Sequence, residues 1–138
     1  MTGQEHNAQW FAYRRRRVTT QKILLVDDSA IVRAVVVHAL SARGLEVSTV
    51  VDPRDIEAAL AREKPDLLLV DATYPGVSDE ELVAAISPHV DALPVLIFSD
   101  RAEEEVGTLV RRSGARGAVP KDGATLADRL TPFLKKHG

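Results

Sequence analysis

The sequence predicts a doubly wound α/β fold: a five-stranded parallel sheet with helices on both faces. Three observations carry that expectation. From Lys22 onward, short apolar runs alternate with helix-like segments. Two of the runs, Leu67–Val70 and Val95–Phe98, have no polar interruption, as suits strands covered on both faces. The runs also close on polar residues, Asp27, Asp71, Ser99 and Lys121, at the strand ends where open parallel sheets place their ligand sites.

Residues 1–20 read as a polar tail, with Trp10, Phe11 and Tyr13 leading into Arg14, Arg15, Arg16 and Arg17 and no usable period. One domain is expected over 21–138. Its first strand, Lys22–Val26, meets Asp27, Asp28 and Ser29, and Ser29 can cap a helix from Ala30 to about Ala42. Ile31, Val35 and Ala39, with Val32, Val36 and Leu40, recur at the spacing of a buried stripe, and Gly44 stops the helix. Glu46–Val51 is a second strand. Asp52 and Pro53 open the next helix, since proline already holds the φ of a first turn, and Lys64-Pro65 closes it.

Asp66–Asp71 is the third and central strand. After a loop with Pro75 and Gly76, a helix is expected near Asp79–Ile86, then the strand Val95–Phe98 ending on Ser99. A helix from about Ala102 to Arg112 exposes Glu103, Glu104 and Glu105, and a short last strand, Gly117–Val119, precedes Lys121. The closing helix, Ala124–Lys135, would bury Leu126, Leu130, Phe133 and Leu134, with Pro132 kinking or shortening it.

The composition narrows function. A chain of 138 residues suits one domain with a real core. With no cysteine, disulfides and thiolate metal sites are excluded and a reducing cytoplasm is the expected location. The net charge of −2 hides an asymmetry, because beyond Arg17 14 basic side chains face 19 acidic ones. Such a body makes a poor general nucleic-acid surface, and no apolar stretch approaches the roughly 20 residues needed to span a bilayer. His6, His38, His89 and His137 form no spaced metal or nucleophile motif, which speaks against a metabolic enzyme.

The strand ends carry the chemistry. Three carboxylates in one crevice repel at about 4 kcal/mol per pair when 4 Å apart at an effective dielectric near 20. A hard divalent cation offsets that, and Mg²⁺ takes carboxylates, waters and phosphate oxygen. Asp71, alone at the end of the central strand, is the expected nucleophile for phosphoryl transfer. Asp28 would bind Mg²⁺ directly and Asp27 largely through water, with the Thr73 backbone carbonyl as a further ligand. Ser99 and Lys121 would serve the phosphoryl oxygens. A flavodoxin-like cofactor binder would share the winding, but Asp27 and Asp28 would repel a phosphate after the first strand.

Ile23-Leu-Leu-Val-Asp-Asp-Ser29, Asp71 followed by Pro75-Gly76, Ser99, and Gly114-Ala115 leading to Lys121 resemble a response regulator receiver domain of the CheY-like, flavodoxin-fold kind. The resemblance covers about Lys22 to Lys136. It implies a stand-alone phosphoacceptor of a two-component phosphorelay, charged on Asp71 by a histidine kinase or phosphotransfer protein. The switch surface would be the fourth helix, fifth strand and fifth helix. No DNA-binding domain and no transmembrane segment are expected, so output would pass to a downstream protein partner. Three positions depart from the pattern. Asp100 stands where a small residue is usual and adds a carboxylate near the pocket; Ala118 stands where the last strand carries Tyr or Phe; and Pro120 precedes the lysine that proline normally follows. Asp100 and Ala118 favour the alternative of a pseudo-receiver that works as an interaction module without phosphate.

Overall fold

A computed structural model describes residues 20–134. The strands are β1 (Lys22–Val26), β2 (Glu46–Val50), β3 (Leu67–Asp71), β4 (Val95–Phe98) and β5 (Gly117–Val119). The helices are α1 (Ala30–Ser41), α2 (Ile56–Glu63, after a 3₁₀ turn at Pro53–Asp55), α3 (Asp79–Ile86), α4 (Glu103–Ser113) and α5 (Gly123–Leu134). All strand pairs are parallel, in the order β2-β1-β3-β4-β5. The winding therefore reverses between β1 and β3, and a crevice opens at their carboxyl ends.

Alternation along the strands divides the core. Ile23, Leu25, Leu67, Leu69, Leu96 and Phe98 pack with Val36 and Leu40 of α1 and Leu126, Leu130 and Leu134 of α5. Leu24, Val26, Leu68, Val70, Val95 and Ile97 face the other way, against Ile56, Leu82, Ile86, Val106 and Leu109 of α2, α3 and α4. All five residues of β3 are buried, which its unbroken apolar run requires.

Local chemistry sets the boundaries. Ser29 Oγ accepts the Val32 N–H and caps α1. Ser78 and Glu81 form a reciprocal capping box at α3. Lys64, in the left-handed region at φ 49°, ends α2. Gly114 ends α4 at φ 84°, the left-handed region that favours glycine, and a Cβ there would also crowd Val90 Cγ2 at 3.1 Å.

Several expectations need correction. Ile31 is 77% and Val35 49% exposed; nearly every position of α1 is apolar, so periodicity could not choose its face, and the sheet takes Val32, Val36 and Leu40. Strand β2 stops at Val50, and β3 starts at Leu67 because the Asp66 carboxylate accepts the Lys22 N–H at 2.8 Å. Helix α5 begins at Gly123 and runs through Pro132 to Leu134, because proline removes one helical N–H late in the helix without displacing the packed Leu130 and Leu134. Phe133 is only partly buried. The basic and aromatic cluster at 10–17 and Lys135 lie outside the described residues.

Candidate functional site

Strands β1 and β3 lie side by side, pairing Val26 with Val70, so the residues that follow them meet at the crevice. One carboxylate oxygen from each of Asp27, Asp28 and Asp71 lies within 4.8 Å of the others. Asp27 is fully buried (0% exposed) and Asp71 nearly so, whereas Asp28 faces outward. Asp27 is held by its neighbours, because its Oδ1 accepts the Ser29 N–H at 2.9 Å and its carbonyl accepts Arg33 Nη1 at 2.8 Å.

Lys121, just beyond β5, closes the group. Its Nζ stands 3.1 Å from Asp71 Oδ1 and 3.3 Å from Asp27 Oδ2, and 5.5 Å from the centre of the Phe98 ring. Asp27 Oδ2 is buried and lacks a well-directed hydrogen bond despite that ion pair. Burial raises the Asp71 pKa, Lys121 opposes the shift by hydrogen bonding, and the Asp27 charge adds to it. Burial pulls the Lys121 pKa down, but its bond to Asp71 and the charges of Asp71 and Asp27 outweigh that and leave it above the ordinary lysine value.

Ser99 directly follows β4 and is buried; its N–H donates to the Val119 carbonyl, and its Oγ accepts the Arg101 N–H at 2.9 Å. Thr73 lies in the loop after β3, its N–H directed at Asp71 Oδ1 across a long 3.4 Å. Asp100 lies beside the site, its Oδ1 accepting the Lys121 backbone N–H at 3.1 Å, and is not one of the three clustered carboxylates. A residue other than proline after Lys121 leaves Asp122 free to hold the start of α5 through the Ala124 N–H and Thr125 hydroxyl.

Sequence reasoning missed two residues. Tyr74, three places after Asp71, is buried, and its hydroxyl donates to the Val26 carbonyl at 2.8 Å, tying the loop after β3 to the end of β1. Burial first, then the Asp71 and Asp27 charges, raise its pKa above that of an ordinary phenol. Arg101 joins Ala72, Asp79 and Glu105. An aromatic inside a polar loop was the one signal available for Tyr74; Arg101 had none.

The family model for the response regulator receiver domain matches residues 23–130. The chain belongs to the response regulator receiver family. Receiver domains act in two-component systems as signalling phosphoacceptors and bind Mg²⁺ at an acidic pocket. This receiver is 32% identical over 119 residues to the phosphate regulon transcriptional regulatory protein PhoB of Rhizobium meliloti, covering 83% of the chain and 52% of that protein. It is 31% identical over 99 residues to the DNA-binding transcriptional regulator NtrC of Salmonella typhimurium, covering 72% of the chain and 21% of that protein. The chain thus spans about half of one relative and a fifth of the other. The chemotaxis protein CheY4 of Vibrio cholerae superposes with a TM-score of 0.74 at 28% identity, over 84% of this chain and all of CheY4. Among the described residues, no helix is long and apolar enough to cross a membrane.

Proposed function

We propose that this receiver accepts a phosphoryl group on Asp71 from a histidine kinase or phosphotransfer protein and passes the signal on through contacts with a protein partner. The receiver unit is read as residues 21–138 behind a tail of 1–20. The observation that carries this reading is the carboxylate cluster of Asp27, Asp28 and Asp71 with Lys121 Nζ 3.1 Å from Asp71 Oδ1.

Mg²⁺ fits the donor set. The ligands are hard oxygens, their combined charge needs an offset beyond Lys121, and Asp27 Oδ2 is a buried oxygen lacking a well-directed donor. Asp28, Asp71 and the Thr73 carbonyl would hold the ion directly, and Asp27 largely through water. The bound ion would offset charge on the phosphoryl oxygens.

The chain's own residues account for the rest. An Asp71 carboxylate oxygen bonds to phosphorus as the bond from phosphorus to the donor imidazole nitrogen breaks, and the imidazole leaves with the electron pair. Lys121 exchanges its bond to Asp71 for one to a phosphoryl oxygen, and the Ser99 hydroxyl donates to another. Asp100, bonded to the Lys121 backbone N–H, places an extra carboxylate beside the site and favours a second reading, a phosphate-independent interaction module. Ala118, where the family pattern has an aromatic, favours it too.

Intact mass spectrometry after incubation with acetyl phosphate tests the proposal. Wild type should gain one phosphoryl group only with Mg²⁺ present, and Asp71→Asn should gain none. An undiminished adduct in Asp71→Asn, or no adduct in wild type with several donors, refutes it.

A further inference from the structure

Arg101, two residues past Ser99, ties together three parts of the molecule. Its Nη1 donates to the Ala72 carbonyl at 3.2 Å, in the segment directly after Asp71. Nη1 and Nη2 meet the two oxygens of Asp79, the first residue of α3, each at 3.2 Å. Nε donates to Glu105, in the first turn of α4, at 3.0 Å, and the backbone N–H donates to Ser99 Oγ at 2.9 Å. The paired contact with Asp79 fixes orientation as well as distance. Only 25% of the Arg101 side chain is exposed, so the network is not a fully solvated pair.

The two helices it joins are held differently at their starts. The Ser78 and Glu81 capping box satisfies the first turn of α3. Helix α4 begins after Ala102, which has no side-chain acceptor for the free N–H groups of that turn. The bond from Arg101 to Glu105 therefore tethers a helix start that lacks a cap. One guanidinium fastens it to a well-capped neighbour and to the loop that follows Asp71.

We infer that Arg101 is a positioning residue that restrains the resting conformation, a clamp that must open when Ser99 turns toward a phosphoryl group on Asp71. The inference rests on the phosphoacceptor reading above. Ser99 Oγ accepts the Arg101 N–H, so a hydroxyl that swings toward Asp71 gives up that bond and frees the Arg101 backbone that holds the guanidinium against Asp79. A contact made in one state and lost in the other biases the equilibrium toward the first. Deleting it shifts the population toward the activated arrangement, and α4 is the helix released.

The test titrates beryllofluoride with Mg²⁺ into the full chain by calorimetry, for wild type, Arg101→Ala, Asp79→Asn and the double variant, with thermal unfolding as the folding control. Each single variant should bind about three- to tenfold more tightly, the range expected for a partly exposed charge network. The double variant should gain no more than Arg101→Ala alone, since that substitution already removes the contact with Asp79. Hydrogen exchange should quicken in the first turns of α4 without ligand and leave β3 unchanged. Asp79→Asn keeps the Arg101 stem in place, so lost packing cannot imitate the result. Equal or weaker binding by the folded variants, or additive tightening in the double, overturns the clamp alone. Failure of wild type to bind beryllofluoride overturns the phosphoacceptor reading and the clamp with it.

Discussion

Burial raises the Asp71 pKa, with Lys121 opposing and the Asp27 charge adding, so the fold disfavours the ionised carboxylate relative to the unfolded chain. A folded-state pKa above the unfolded value means that the folded chain binds the proton more tightly. The stabilisation this gives is fully present below the unfolded pKa and is lost as pH rises through the raised folded value. At neutral pH only the unfavourable side remains, offset in part by the ion pair with Lys121. Asp71→Asn removes the charge and keeps the shape, so it should stabilise the metal-free protein at pH 7 by about 1 kcal/mol, roughly 3–6 °C in Tm for a domain of this size. The gain should shrink as pH falls into the carboxylate range. Thermal unfolding at pH 7 and near pH 4 measures this; a variant less stable than wild type at pH 7 would mean that the Lys121 pair outweighs the burial of Asp71.

At the scale of elements, the loop after β3 is set less by its own sequence than by what Tyr74 reaches. Its hydroxyl bonds the carbonyl of Val26, the residue before Asp27, so the segment carrying Thr73 is fixed to the strand whose end supplies Asp27 and Asp28. Tyr74→Phe keeps the ring and leaves a buried carbonyl short of a donor, at a cost of about 1–2 kcal/mol. It should also weaken Mg²⁺ binding a few-fold by loosening the Thr73 carbonyl, whereas a purely structural role would lower Tm and leave the calorimetric Mg²⁺ affinity untouched. Tyr74 and Arg101 were illegible in sequence for one reason: each acts on a backbone or helix start distant in the chain, and which one depends on the order in which strands pair. Asp27, Asp28, Asp71, Ser99 and Lys121 were legible because each ends a strand or lies within two residues of its end, and parallel winding carries all such ends to one edge. Strands and the Ser29 cap were legible too, since apolar runs and a capping hydroxyl act locally. The buried face of α1 was not, because apolar residues surround that helix and only the sheet decides between them.

Across the whole molecule, a change at the carboxylate cluster has two ways outward: through Lys121 and β5 to α5, or through Ser99 and Arg101 to α4. The family resemblance implies an aromatic in the middle of β5 that turns inward behind the Ser/Thr hydroxyl and carries the change into β5, and this chain has Ala118 there, exposed and paired in register with Ile97. A methyl group has no χ1 rotamer to turn, so a phosphoryl group on Asp71 would find no second state of that side chain to select, and a ligand can bias only a difference that exists. The second route has the elements for two states: a Ser99 hydroxyl bonded to Arg101, an uncapped start to α4, and Gly107 within α4, which lowers intrinsic helix stability by up to about 1 kcal/mol relative to Ala. Strand β5 is further restrained by the bond from the Ser99 N–H to the Val119 carbonyl and by Asp100 on the Lys121 N–H. Beryllofluoride with Mg²⁺ should therefore shift amide signals around Asp71, Ser99, Lys121 and the first turns of α4, with weaker changes across Gly117–Val119 and α5. Amide chemical shifts with and without the ligand decide it: changes in β5 and α5 as large as those at Asp71 would show that some other residue there has a second conformation, and that the loss of the aromatic at Ala118 does not close the route.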